Sequence, residues 1–258
     1  MKREIHYFLA AMMFYTRFPC PGWYEHRAED LNKSRKYFPL IGWIIGGIVI
    51  AVYGLSQMVL PVSVSILLSL TAAVVATGAF HEDGLADVCD GLGGGWSKQQ
   101  ILNIMKDSRI GTFGTVGITL LLAVKFTSLY EIQQISTSLF LVAVFNGNTV
   151  SRFISSTVIQ SHVYVQDPEC SKIKPVATSR LGPSEMLFSA TFAVAPLFFF
   201  YPDWILVLAV VPAYLSRVYL AGYFKKWIGG YTGDCLGAVQ QVSETIFYMS
   251  VLSLCAYI

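Results

Sequence analysis

Asp83, Asp87 and Asp90 stand in the run His81-Glu82-Asp83-Gly84-Leu85-Ala86-Asp87-Val88-Cys89-Asp90-Gly91. If this run is helical, positions i, i+4 and i+7 bring the three carboxylates to one face. Like charges on one face repel, and no basic residue occurs between Glu82 and Trp96 to offset them. A bound divalent cation is the natural compensation. All-oxygen ligands favour Mg²⁺ or Mn²⁺ over zinc, and Mg²⁺ is often shared between protein carboxylates and a substrate phosphate. The competing reading is an acidic helix end that is merely solvated or complements a helix dipole. Acids kept beside a membrane core without a purpose are costly, which weighs against it.

Four further groups of residues could join such chemistry. Gly91-Leu92-Gly93-Gly94-Gly95 follows at once; backbone of this kind can approach a phosphate closely, so Gly93 and Gly94 are candidate substrate contacts, although a plain flexible loop reads the same way. In Lys106-Asp107-Ser108-Arg109-Ile110-Gly111-Thr112-Phe113-Gly114, Lys106 and Arg109 suit phosphate oxygens, and Asp107 either serves the reaction or metal directly or only orients Arg109. Asn146, Asn148 and Arg152 fall inside one apolar segment and Arg217 inside another. Arg152 is the stronger phosphate candidate, with Asn148 one turn before it, and interhelical hydrogen bonding competes for the asparagines. Asp234, in Gly229-Gly230-Tyr231-Thr232-Gly233-Asp234-Cys235-Leu236-Gly237-Ala238, either joins the first acidic cluster as a metal ligand or caps a helix. Glu244 lies deeper, as a functional carboxylate or an interhelical partner. His81 is the one histidine inside a motif, and it serves as a proton acceptor or holds its neighbours in place.

The elements that must carry these groups are set by composition. The chain has 258 residues, 54% hydrophobic and 13% charged, with mean hydropathy +0.56, where soluble domains hold roughly 25% charged residues. Lipid must therefore act as part of the solvent, and the class expected is all-α, a polytopic membrane helical bundle forming a single catalytic domain over 1–258. About seven apolar stretches approach the ~20 residues of a span, near 37–58, 62–80, 110–130, 137–157, 185–201, 203–224 and 236–257. Pro196 and Pro212 predict kinked or partial helices, and Ile5 to Phe18 predicts a retained interfacial helix rather than a signal peptide.

Lysine and arginine placement gives the expected orientation. Lys2, Arg3, Arg17, Arg27, Lys33, Arg35 and Lys36 precede the first span, Lys98, Lys106 and Arg109 follow the second, Lys172, Lys174 and Arg180 the fourth, and Lys225 and Lys226 the sixth. The intervening turns near Pro61, Glu131 to Ser136 and Tyr201 to Asp203 have none. The N-terminus and all three long loops are thus expected in the cytoplasm. The net charge of +2 gives no reason to expect a nucleic-acid partner, and Cys20, Cys89, Cys170, Cys235 and Cys255 form no CxxC pair, so they read as small packing residues. A homo-oligomer is compatible with the sequence.

Taken together, the His81 to Gly91 run, Lys106 to Thr112, the N-terminal Phe14-Tyr15-Thr16-Arg17-Phe18-Pro19 and the C-terminal Gly233 to Ala238 resemble the cobalamin synthase, or adenosylcobinamide-GDP ribazoletransferase, family over essentially the whole chain. Cys89 and Cys235 stand where another small residue is expected, a departure that touches nothing catalytic. The resemblance implies that adenosylcobinamide-GDP and α-ribazole, or its 5′-phosphate, give adenosylcobalamin, or its 5′-phosphate, and GMP. It also implies Mg²⁺ dependence and a place in the bacterial inner membrane. On that reading Asp83, Asp87 and Asp90 hold Mg²⁺ with Glu82 and Asp234 as further ligands or helpers, and Lys106, Arg109 and Arg152 hold the diphosphate.

Two other classes are weighed beside it. A CDP-alcohol phosphotransferase or a prenyltransferase also uses spaced aspartates and Mg²⁺, but the Ala-Arg pair followed by two further spaced aspartates expected of the former is missing. A transporter would use buried charges and broken spans, yet these acids cluster at one end of their helices and no repeat symmetry is visible.

Overall fold

The computed structural model describes residues 2–24, 28–165 and 179–257; Arg27, Cys170, Lys172 and Lys174 lie outside them. The helices are α1 (Lys2–Tyr15), α2 (Ala28–Ser34), α3 (Phe38–Gln57), α4 (Val62–Thr77), α5 (Phe80–Gly94), α6 (Lys98–Met105), α7 (Thr112–Ile135), α8 (Thr137–Ser161), α9 (Pro183–Val194), α10 (Val210–Ile228) and α11 (Gly233–Leu254). Among the described residues no β-strand forms. An isolated bridge between Tyr164 and Tyr231 ties the chain leaving α8 to the chain entering α11.

Local chemistry starts and stops the helices where the site needs them. Ser97, Ser136 and Thr232 accept hydrogen bonds from Gln100, Leu139 and Cys235 backbone N–H groups and so begin α6, α8 and α11. Gly78, at φ +68°, closes α4, and Ala79 follows at φ +57°. This left-handed pair turns the chain by 88° between α4 and α5. The expected second span near 62–80 is therefore a 16-residue helix that breaks sharply, and the acidic motif lies on the far arm of the bend.

Four stretches are long and apolar enough to cross a bilayer, Asp30–Gln57, Thr112–Ile135, Pro183–Phe200 and Trp204–Ile228, and the bent pair of α4 and α5 makes a fifth if counted as one span. The expectation of about seven rested on two more segments. Both form helices, α8 of 25 and α11 of 22 residues, but their polar side chains exclude them on hydropathy. The reason is their position: more than half of each is buried inside the bundle. The apolar residues that face outward are instead on α4, α7 and α10, for example Leu67, Leu120 and Leu215. The distortions expected near the prolines appear as 3-10 turns at Ala195–Phe200 and Trp204–Ala209, while Pro212 sits harmlessly in the first turn of α10.

Small residues let the central helices approach. A Cβ on Gly42 of α3 would stand 2.5 Å from the Asn148 carbonyl oxygen of α8, and one on Gly46 would stand 3.3 Å from Phe145. Such close backbone contact is how helices associate where lipid removes the hydrophobic drive.

Candidate active site

The acidic motif is helical as its spacing predicts, and α11 crosses it at glycines. A Cβ on Gly84 would lie 2.9 Å from both Cα and the carbonyl oxygen of Asp234, and one on Gly237 would lie 3.1 Å from the carbonyl oxygen of His81. This crossing brings Asp234 to Asp83 and Asp87, and Asp87 feels the negative charge of Asp234, Asp83 and Asp90 together. Asp83 is exposed, while Asp87 and Asp234 are half-buried. The helix-cap alternative for Asp234 is taken over by Thr232, whose hydroxyl receives the Cys235 N–H at 3.3 Å and donates to Asp234 at 3.2 Å.

Among the described residues no group of three His, Cys, Asp or Glu side chains is arranged to hold a metal ion by itself, and no Lys or Arg is ion-paired with these aspartates. An open, all-oxygen, uncompensated set of this kind suits Mg²⁺, which keeps waters and takes one or two carboxylates together with substrate phosphate. A closed structural zinc site would require four converged ligands.

Asp90 has structural partners that its spacing does not announce. Its carboxylate accepts the Gly111 N–H at 2.7 Å and the Gly114 N–H at 2.8 Å, so it caps α7 from a distance. Asp90→Ala is expected to cost about 1–2 kcal/mol of stability and to speed tryptic cleavage after Lys106 and Arg109, with the Mg²⁺ concentration for half-maximal turnover unchanged. A raised Mg²⁺ requirement would show that Asp90 serves a cation as well as the cap.

The loop that Asp90 anchors carries the basic candidates. Lys106 is exposed. Arg109 donates from Nε and Nη2 to Asp107, the closest contact being 2.6 Å, with 86% of the arginine side chain exposed. Those bonds hold Asp107 down at about 2, so at neutral pH it is a weak proton acceptor; its geometry is that of a group orienting Arg109. The glycine run is not a loop. Helix α5 continues through Gly94; a Cβ on Gly93 would strike the Phe113 ring, while on Gly94 it would meet only Ile104 at 3.5 Å. Gly91 and Gly95 give way to Ile101 and Met105, so these glycines let α6 fold back against α5.

The comparison with family models matches residues 7–252 to the cobalamin-5-phosphate synthase family. The chain belongs to this family. Among curated relatives, "adenosylcobinamide-GDP ribazoletransferase" of Shewanella woodyi is 43% identical over 98% of this chain and 97% of its own. Proteins of the same name from Shewanella frigidimarina and Leptospira interrogans are 41% and 40% identical, each over 97% of this chain and 95% and 96% of their own. No solved structure matches.

In this member of the cobalamin-5-phosphate synthase family, several of the remaining candidates gather in one cavity. His81 and Arg152 are each 2% exposed and line a cavity of about 30 Å³ with Glu82, Lys125, Asn148, Gln241, Glu244 and Tyr248. That volume suits one or two waters. His81 leaves α5 on the side opposite Asp83, two residues being about 200° apart on a helix, and it stacks on Phe38 with ring centroids 5.7 Å apart. It is thus not placed to take a proton from a group bound at Asp83 and Asp87. Arg152 donates to the carbonyl and side-chain oxygens of Asn148 at 2.8 and 2.9 Å, and both side chains lie in the buried interior. Asn146 bonds Pro196 across helices at 3.1 Å, and Arg217 bonds the Thr157 carbonyl at 2.7 Å.

Glu244 is an interhelical partner: it pairs with Lys125 at 3.4 Å and accepts from Gln240 at 2.6 Å and Tyr248 at 2.9 Å. Lys125 is the residue the sequence reading missed. The signal was a single lysine in the middle of an apolar span, which is costly unless paired.

Proposed function

We propose that the protein transfers the phosphocobinamide group of adenosylcobinamide-GDP to α-ribazole, or to its 5′-phosphate. The ribose hydroxyl oxygen forms a bond to the phosphorus next to cobinamide, that phosphorus loses its bond to GMP, and the hydroxyl proton passes to a base or to solvent. The observation that carries this reading is the Gly84–Asp234 crossing, which gathers carboxylates from α5 and α11 beside an exposed basic loop in a chain of this family.

Mg²⁺ held by Asp83, Asp87 and Asp234 would neutralise charge on the diphosphate and its leaving group. Lys106 and Arg109 would meet the diphosphate oxygens from the loop that Asp90 fixes to α5, with Asp107 presenting the Arg109 fork. Catalysis by positioning and charge neutralisation is what displacement at phosphorus requires. The lysine and arginine distribution supports a cytoplasmic site, since the α5 to α7 connection carries Lys98, Lys106 and Arg109; a place in a bacterial inner membrane is what the family resemblance implies.

The test is turnover of the purified, detergent-solubilised protein with adenosylcobinamide-GDP and α-ribazole, following GMP and cobalamin. Equal yields of both products with Mg²⁺, and neither after chelation, are expected. Folded protein that makes neither product with Mg²⁺ present would overturn the assignment.

A further inference from the structure

Lys125 of α7 is 3% exposed, and among the described residues its ammonium meets Gln241 and Glu244. Glu244, which would suffice to balance its charge, is the more distant at 3.4 Å. The shorter contact, 2.7 Å, is to the neutral Gln241 side-chain oxygen on α11. Gln241 in turn donates its amide N–H to Glu82 of α5 at 2.8 Å. The direction of this chain is fixed: turning the amide over would set its NH₂ against the ammonium and its oxygen against the carboxylate.

Helix α5 is thereby held near both ends. Glu82 is tied through Gln241 to the middle of α7, and Asp90 is tied to the N-terminus of the same helix. Asp83 and Asp87 lie between the two ties, so the rotation of α5 that turns them toward Asp234 is set from α7. We propose that Lys125 is a positioning residue for the acidic site, acting through Gln241 and Glu82 and not merely as the counter-ion of Glu244. The catalytic part of this inference rests on the function proposed above; the structural part does not.

Four full-length proteins in detergent test it: wild type, Gln241→Met, Lys125→Met, and Lys125→Met with Glu244→Gln. Each is read by steady-state kinetics and by amide hydrogen exchange of residues 80–94 against 137–161. Gln241→Met leaves the Lys125–Glu244 pair intact, so it decides the matter even if Lys125→Met fails to fold. The expected result is a kcat about 100-fold lower in both Gln241→Met and the double variant, the scale of loss for a displaced catalytic group, with KM little changed. Residues 80–94 should exchange faster while 137–161 keep wild-type protection.

A double variant within about threefold of wild type would overturn the proposal, because Lys125 would then serve only to neutralise Glu244. So would a Gln241→Met protein with wild-type exchange in 80–94, or one that exchanges faster throughout the bundle. Absence of both products from folded wild type would instead count against the function proposed above, and the exchange comparison would still read the tie between α7 and α5.

Discussion

Asp87→Asn is expected to lower turnover by about 100-fold or more, to raise the Mg²⁺ concentration needed for half-maximal rate, and to leave thermal stability equal or higher. The asymmetry follows from the electrostatics. Asp87 is half-buried and feels Asp234, Asp83 and Asp90 at once, so its charge strains the folded protein whenever no cation is bound. Asparagine keeps the shape and removes one repelling charge, the pattern of a site maintained at some expense to stability. Asp234→Asn should behave in the same way from the other helix. Kinetics across a Mg²⁺ titration, with melting curves in EDTA, check both halves. Near-normal rate and metal dependence in Asp87→Asn would remove it from the site.

Gly84→Ala is the second large effect, and it acts through shape alone. The new methyl would sit 2.9 Å from Asp234 Cα and from its carbonyl oxygen, and backbone atoms of a packed helix cannot yield as a flexible side chain can. Helices α5 and α11 must separate, at an overpacking cost of about 1–3 kcal/mol. The same separation carries Asp234 away from Asp83 and Asp87, and a shift near 1 Å is worth about 100-fold in rate. Loss of both melting temperature and turnover is expected. Gly54→Ala on α3, where the new methyl would meet nothing within 4 Å, is the control. A Gly84→Ala protein with wild-type melting temperature and activity would show that the crossing is not what assembles the site.

The acidic helix was legible because its three aspartates stand at helical spacing. The family was legible because its motifs extend across the chain in order. The count of spans was less so, since α8 and α11 are shielded from lipid by their neighbours, and a helix so placed is free to carry Asn148, Arg152, Gln241 and Glu244. The 88° bend before α5 depends on Gly78 and Ala79 both taking left-handed backbone, and alanine gives no warning of that.

Residue types and intervals thus sufficed for a membrane bundle, a family, and a helix that carries Asp83 and Asp87 on one face, because helical periodicity and hydropathy are local properties of a chain. Which polar groups face one another is not local. Asp90 shares the acidic face by spacing and also holds the N-terminus of α7, His81 and Arg152 line a buried cavity, and Lys125 reaches Glu82 through Gln241. Those roles arise where helices distant in sequence cross at glycines, and close backbone approach there chooses each side chain's partner.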